Sequence, residues 1–217
     1  IFLDKPIANT VAEGMEITRI CRDANVKLSI GFQRRRETHF RWVKEQIDAG
    51  KFGYLVQAEA NISRDRLGQF EEGHWRYTAE GMPGGVMLQI GPHYVDVLEM
   101  LMGPITEVSG MLSQLALPGD NPDVAGLVMR HKNDAVSTLN AGYASAGEHY
   151  VMNIYGKKAS ALYSLHTGMD FKGKMGDPIY ASAAGQVVFA GRSGGYGNLI
   201  RIDHGQGMET WYAHASG

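Results

Sequence analysis

The alternation of apolar and polar positions predicts a βαβ unit at the start of the chain. Residues 1–3 and 26–32 are apolar runs of strand length, with a helical pattern between them. Thr10, with Glu13 three positions later, matches a capping box, so we expect the helix to begin there. A crossover helix joins parallel strands, so the two runs should pair in parallel. The buried stripe of this helix is predicted at Val11, Met15, Ile20 and Cys21.

A second helix and a long strand are predicted next. Phe40, Val43 and Ile47 share one face of a helix over 38–49, and a glycine follows as its stop signal. Residues 54–62 alternate between apolar and polar, which is typical of a half-buried strand. The apolar face of this strand is predicted at Val56, Ala58, Ala60 and Ile62.

The remaining pattern indicates a sheet and then a different, β-rich texture. A third helical stretch runs from Gly84 to Gly103, and consecutive strands follow it. These strands are predicted near 105–116, 124–131, 135–144 and 149–156. Further short β-type runs lie at 179–182, 186–190, 198–203 and 209–213. We therefore expect an α+β fold: a partial βαβ unit, an antiparallel sheet covered by helices, and a short β-rich C-terminal segment.

Composition excludes several classes of protein. Hydrophobic residues at 44%, charged residues at 20% and a net charge of −2 are ordinary for a globular domain and give no reason to expect a nucleic-acid partner. No apolar run is long enough for a membrane span, and no signal peptide is visible. Cys21 is the one cysteine, which fits a buried thiol and a reducing compartment, so a cytoplasmic location is expected. The chain begins with Ile, as a fragment would.

A first group of candidate residues suits redox chemistry on an alcohol. Lys5 follows an apolar strand, at the end where α/β sheets place ligands, and its ammonium can hydrogen-bond an alcohol or ketone oxygen. Gln89, His93 and Asp96 are spaced by four and three residues, which places them on one helical face. On that face His93 can carry a proton and Asp96 can orient its ring. A surface lysine and a structural histidine are the alternatives.

Two further groups of residues have weaker signals. Trp75 and Arg76 offer an aromatic face and a cation, which suit a polyol but also ordinary packing. His166 and Asp170, with three residues between them, are possible zinc ligands. His204 and His214 are candidates for a third ligand or a general base. Ordinary surface residues are the alternative for this second group.

Most of the chain resembles the Gfo/Idh/MocA oxidoreductases. The resemblance is carried, in the family's order, by residues 4–8, 31–35, 50–53, 75–76, 84–85 and 91–96. It implies that Lys5 is the active-site lysine and His93 the substrate-binding or catalytic histidine. Arg34, Trp75, Arg76, Gln89 and Asp96 would bind substrate. The resemblance also implies NAD(P), contacted by Lys5 and Pro6, a sugar or polyol substrate, and a sheet used for homo-oligomer contacts.

The chain departs from that family at two points. Gln89 stands where the family usually has aspartate, and glutamine cannot shuttle a proton. No G-x-G-x-x-G turn followed by an acidic residue occurs, so we expect NAD(P) to bind weakly or not at all and the oxidoreductase to be inactive. The expected segments are 1–33, a remnant of the dinucleotide-binding domain, and 34–163, the substrate and oligomerisation domain.

Residues 164–217 resemble lysostaphin/LytM-type zinc metallopeptidases, which cut bacterial cell-wall peptides. The resemblance is carried by 166–171, 195–198, 204–205 and 210–214. It implies that His166 and Asp170 are zinc ligands and that His214 is the active-site histidine, with the family's last ligand in a His-x-His motif beyond this segment. Three hypotheses therefore stand: an NAD(P)-dependent oxidoreductase, a truncated zinc endopeptidase, or a non-enzymatic chimera.

Overall fold

The computed structural model describes residues 1–65, 71, 73–164, 168–171, 175–205 and 208–215, with the backbone alone at 146, 147, 168–171 and 195. The chain divides into two compact units, Ile1–Lys172 and Gly173–Gly217. The helices are α1 Val11–Asp23, α2 Thr38–Asp48, α3 Val86–Gln89 and α4 Gly91–Met102. The strands of the first unit are β1 Phe2–Leu3, β2 Ser29–Ile30, β3 Leu55–Asp65, β4 Ile105–Ser113, β5 Val124–His131, β6 Val136–Gly142, β7 Ala144–Gly156, β8 Ser160–Ser164 and β9 Gly168–Phe171. The strands of the second unit are β10 Gln186–Arg192, β11 Asn198–Asp203 and β12 Glu209–Tyr212.

The βαβ unit has the predicted topology. Strands β1 and β2 pair in parallel, with Leu3 opposite Ile30. The capping box is present: the Thr10 hydroxyl accepts from the backbone N–H of Glu13 at 3.2 Å, and the Glu13 carboxylate accepts from the backbone N–H of Thr10 at 3.1 Å. The start of α1 is therefore set by its own sequence, as expected.

The predicted buried stripe of α1 is wrong at three of its four positions. Val11 is 80% exposed and Met15 68% exposed, and Ile20 is also exposed, whereas Cys21 is buried as predicted. Among the described residues, this part of the fold has a sheet of two short strands. Such a sheet is too small to cover an apolar stripe that runs the length of the helix.

A seven-stranded sheet forms the body of the first unit, in the order β4-β5-β6-β3-β7-β8-β9. All neighbours are antiparallel except β3 and β6, which pair in parallel from Gln57↔Val136 to Ser63↔Gly142. The parallel pair arises because β4, β5 and β6 form a meander whose last strand returns beside β3. The predicted α+β class is confirmed, with a mixed sheet in place of a purely antiparallel one. Strands β8 and β9 were not predicted.

The core lies between this sheet and helices α2 to α4. Phe40 and Val43 of α2 are buried as predicted, and α4 buries Tyr94, Val97 and Leu98. On β3 the predicted apolar face is buried at Ala58, Ala60 and Ile62. Val56, the second residue of the strand, is 48% exposed.

The third helical stretch is broken in two, and this break positions the candidate site. Helix α3 ends at Gln89 and α4 begins at Gly91, with Pro92 in its first turn, where a missing N–H is tolerated. Gly85 precedes α3 with φ of +51°, and a Cβ there would clash with the carbonyl oxygen of Pro122. The glycine therefore fixes the point from which α3 starts.

The second unit is an antiparallel sheet of β10, β11 and β12, as predicted. The predicted strand at 179–182 is wrong. In its place the backbone N–H of Ser182 donates to the Tyr212 hydroxyl at 2.8 Å, so this segment is held by a side chain. Within the described part of the chain, no helix has the length and apolarity needed to cross a membrane.

Candidate functional site

Lys5 lies just beyond β1 and reaches the junction of α3 and α4. Its ammonium donates to the backbone carbonyl of Gln89, and its backbone N–H donates to the Asp4 carboxylate at 2.9 Å. Burial lowers the pKa of Lys5; the charges of Arg76 and Arg64 lower it further, and Asp4 opposes them. The ammonium is thus held at the carboxyl end of a parallel strand pair.

Gln89 is fixed from both sides. Its backbone carbonyl accepts from Lys5, and its side-chain carbonyl accepts from the hydroxyl of Tyr143, a buried residue between β6 and β7. The amide therefore serves as a hydrogen-bonding link, in line with its chemistry.

His93 lies one turn further, at the start of α4. Its Nδ1 is buried and has no hydrogen-bond partner among the described residues. Burial lowers the pKa of His93 to about 4, and the charges of Lys5, Arg34 and Arg64 add to this effect, while Asp4 opposes it. The imidazole is therefore neutral at pH 7 and keeps an unused ring nitrogen.

Asp96 does not orient His93, and that prediction is wrong. Its carboxylate is bound side-on by Arg35, at 2.8 Å to Nε and 2.6 Å to Nη2. The Asp96 carboxylate is nearly buried, and two parallel hydrogen bonds fix its orientation against the Arg35 guanidinium. Helical spacing describes neighbours on one helix only, whereas Arg35 comes from the 3₁₀ turn Gln33–Arg36.

Arg34 and Arg76 also lie in this region, each stacked on aromatic rings. The Arg34 guanidinium is 5.3 Å from the Tyr94 ring centre and 5.0 Å from that of Tyr150. Its Nη1 is 3.3 Å from a Glu37 oxygen.

The Arg76 guanidinium is 4.2 Å from the ring centre of Trp75, which is 46% exposed. The structure thus brings Lys5, Gln89 and His93 together, with both arginines close enough to act on their charges.

Sequence reasoning missed Arg64, Tyr143 and Tyr150. Arg64 lies near the end of β3, and its guanidinium is 5.1 Å from the Tyr150 ring centre. An arginine near the end of a half-buried strand is a usable signal. Tyr143, between β6 and β7, and Tyr150, in β7, lie 50 and 57 positions after His93. No local pattern links them to His93.

The site fits one end of a nicotinamide cofactor. Lys5 and Pro6 follow β1, which pairs in parallel with β2, and such folds place nucleotides at the carboxyl ends of parallel strands. The Thr10–Glu13 capping box uses two of the backbone N–H groups at the N-terminus of α1, those of Thr10 and Glu13. No glycine-rich diphosphate turn of the G-x-G-x-x-G type occurs in the sequence.

The predicted metal ligands are only partly visible. His166 lies outside the described residues, and Asp170 is described by its backbone alone, in β9 opposite Leu162. His214 follows β12, with φ of +56°. Both ring nitrogens of His204 are hydrogen-bonded, to the Ala184 carbonyl at 2.9 Å and the Thr210 hydroxyl at 2.7 Å.

Across the described ranges, no three His, Cys, Asp or Glu side chains form a group that could hold a metal.

Comparison with known proteins gives two separate matches. The GFO/IDH/MocA C-terminal domain matches residues 40–162, and Peptidase family M23 matches residues 164–217. A Schizosaccharomyces pombe uncharacterised oxidoreductase is 32% identical over 120 residues, covering 54% of this chain and 31% of the relative. The DD-carboxypeptidase/endopeptidase Mpg of Neisseria meningitidis is 52% identical over 54 residues, covering 25% of this chain and 13% of the relative.

A solved structure gives the same result for the larger part. The WlbA dehydrogenase of Bordetella pertussis, in complex with NADH and UDP-GlcNAcA, superposes with a TM-score of 0.71 at 25% identity, covering 75% of this chain and 48% of that one. The chain thus spans about half the length of that structure and less of the curated relatives. Residues 164–217 match the model of Peptidase family M23, and because the first family model covers more than half of its residues, the chain belongs to the GFO/IDH/MocA family of oxidoreductases.

Proposed function

We propose that the first unit is the substrate-binding part of an NAD(P)-dependent oxidoreductase that acts on a hydroxyl group of a sugar or polyol. The observation that carries the proposal is the anchored Lys5 ammonium beside a neutral His93. The WlbA dehydrogenase, whose complex holds NADH and UDP-GlcNAcA, supports this assignment. We place the protein in the cytoplasm, in keeping with the family.

The two side chains divide the proton chemistry between them. An ammonium has three N–H donors, so Lys5 keeps donors for a substrate oxygen after bonding Gln89. Neutral His93 can accept the hydroxyl proton as the alcohol becomes a carbonyl. NAD(P), when bound, supplies the hydride acceptor. Because no G-x-G-x-x-G turn followed by an acidic residue occurs in the sequence, we expect this chain to bind NAD(P) weakly and to turn over slowly or not at all.

The test replaces Lys5 and measures both binding and turnover in the 217-residue chain. Polyols and sugars are titrated calorimetrically with and without NADH, and NAD(P) reduction is followed by absorbance. We expect Lys5→Met to weaken binding or turnover about 100-fold. Lys44→Met is the matched control, because Lys44 pairs with Asp48 within α2. Equal values for wild type and Lys5→Met would refute the assigned role.

A second candidate function concerns the M23 segment. The 52% identity to Mpg favours a zinc endopeptidase that cuts cell-wall peptides, with His166, Asp170 and His214 as the proposed metal and active-site residues. Metal analysis of the purified chain tests this. We expect one zinc per chain, lost in His166→Ala and kept in a His149→Ala control. Absence of both zinc and polyol binding would favour the non-enzymatic chimera.

We also propose that the chain self-associates through its large sheet. Met111 and Val128, on the neighbouring strands β4 and β5, lie on the same face of the sheet, and both are more than half exposed. Apolar side chains clustered on a sheet favour burial against another surface. Light scattering should give a mass above 23.8 kDa, and the monomer mass at high concentration would refute the proposal.

A further inference from the structure

Arg64 has a buried donor that no described residue satisfies. Its Nε is buried and makes no hydrogen bond within the described chain. The Glu148 carboxylate is 3.9 Å away, beyond hydrogen-bonding distance. That carboxylate is half exposed and accepts from the Tyr150 hydroxyl at 3.1 Å. Leaving a charged donor buried and unpaired is unfavourable, so an incoming acceptor is favoured there.

Two other arginines show what a satisfied guanidinium looks like in this protein. Arg35 binds Asp96 side-on through Nε and Nη2. Arg201 binds Glu209 in the same way, with Nε 3.0 Å from Oε2 and Nη2 3.0 Å from Oε1. This geometry matches the two oxygens of a carboxylate or phosphate. In Arg64, by contrast, no described oxygen lies within hydrogen-bonding distance of Nε.

Arg64 is also in the right place to contact a substrate. It is close enough to lower the pKa of both Lys5 and His93, the two residues proposed to act on the reacting hydroxyl. Its neighbour Arg34 stacks on the same Tyr150 ring but is paired with Glu37, and Arg35 is paired with Asp96. Of these three cations, Arg64 has the longest ion pair, 3.9 Å to Glu148, and its Nε makes no hydrogen bond within the described chain.

We propose that Arg64 binds the anionic substituent, a carboxylate or a phosphate, of a sugar acid or sugar phosphate whose reacting hydroxyl lies at Lys5 and His93. The inference rests on the proposed oxidoreductase function and narrows its substrate class. A side-on ion pair satisfies the buried Nε–H, and the Tyr150 ring holds the guanidinium plane in place. A neutral polyol lacks the charge that makes such a pair strong.

The experiment compares three ligands by calorimetric titration of the full chain, with and without NADH. D-gluconate carries a carboxylate, D-glucose 6-phosphate a phosphate, and D-glucitol neither. We expect at least one anion to bind wild type about 10-fold or more tighter than glucitol. Arg64→Gln should remove that advantage and change glucitol affinity by less than about twofold. Arg130→Gln, which breaks an exposed pair with Glu107, should change nothing.

Each outcome decides something. The anion that binds more tightly identifies the substituent as carboxylate or phosphate. If glucitol binds but neither anion binds more tightly, the inference is wrong and the proposed function stands. Unchanged anion affinity in Arg64→Gln overturns the assignment to Arg64. Should none of the three ligands bind even with NADH, the proposed function fails and the inference falls with it. The wild-type comparison needs no variant, so a folding defect in Arg64→Gln leaves the test intact.

Discussion

Replacing His93 should change how the stability of the first unit depends on pH. The pKa of His93 is about 4 in the folded chain and 6.5 for a free histidine, so the unfolded chain takes up the proton more readily. Stability is therefore complete above pH 6.5 and is lost as the pH falls toward 4. The difference between these two pKa values corresponds to about 3.4 kcal/mol of unfolding free energy, at 1.36 kcal/mol per pKa unit.

The expected effect is smaller than that maximum for two reasons. Only part of the titration falls between pH 7 and pH 5, which gives about 1.9 kcal/mol. The imidazole is only half-buried, so water screens it, and about half of this remains. When the pH is lowered from 7 to 5, the free energy of unfolding of His93→Gln should therefore fall by about 1 kcal/mol less than that of wild type. Differences between pH values cancel any constant effect of the substitution.

Urea unfolding followed by tryptophan fluorescence measures this effect. Trp42 and Trp75 report on the first unit, and a Trp211→Phe background removes the signal of the second. His149→Gln, at an exposed position on β7, controls for the loss of one histidine. The same pH dependence in wild type and His93→Gln would refute the reasoning, as would an NMR titration of the His93 ring with its midpoint near 6.5.

Three further predictions concern the framework around the site. Asp123→Ala removes a fully buried carboxylate that accepts from three backbone N–H groups, and should lower the free energy of unfolding by about 3 kcal/mol, measured in urea. Gly85→Ala should destabilise the first unit by more than about 2 kcal/mol, because of its positive φ and the clash with the backbone; Gly50→Ala, with positive φ but open space, should do less harm, and equal effects would contradict the role of the clash. Tyr143→Phe removes the hydrogen bond to Gln89 and should lower the free energy of unfolding by about 1 kcal/mol. The melting temperature should fall slightly, and the circular dichroism spectrum should stay unchanged.

Local features of the fold were predictable, and long-range ones were not. The Thr10–Glu13 capping box depends on residues three positions apart, so the sequence specifies it directly. The exposure of Val11 and Met15 depends on what else covers α1, which periodicity does not report. The parallel pairing of β3 with β6 depends on where a meander returns, and alternation is the same in parallel and antiparallel pairs.

The candidate site shows the same division. Lys5 and His93 were chosen from separate local patterns, and the fold brings them together because a strand end and a helix start meet. Asp96 was assigned to the wrong partner because Arg35 comes from another element. Arg64 was missed although it lies near the end of a half-buried strand, and in the structure it is marked by a buried Nε without a hydrogen bond.

The position of β9 has a practical consequence for dissecting this chain. The M23 match begins at residue 164, yet Gly168–Phe171 is hydrogen-bonded to β8 as the last strand of the oxidoreductase sheet. Ending an expression fragment at residue 164, where the M23 match begins, would remove β9 and leave β8 as an exposed edge strand. Its unpaired backbone N–H and C=O groups would favour aggregation. An expression fragment of the first unit should therefore extend to Lys172, where the compact unit ends.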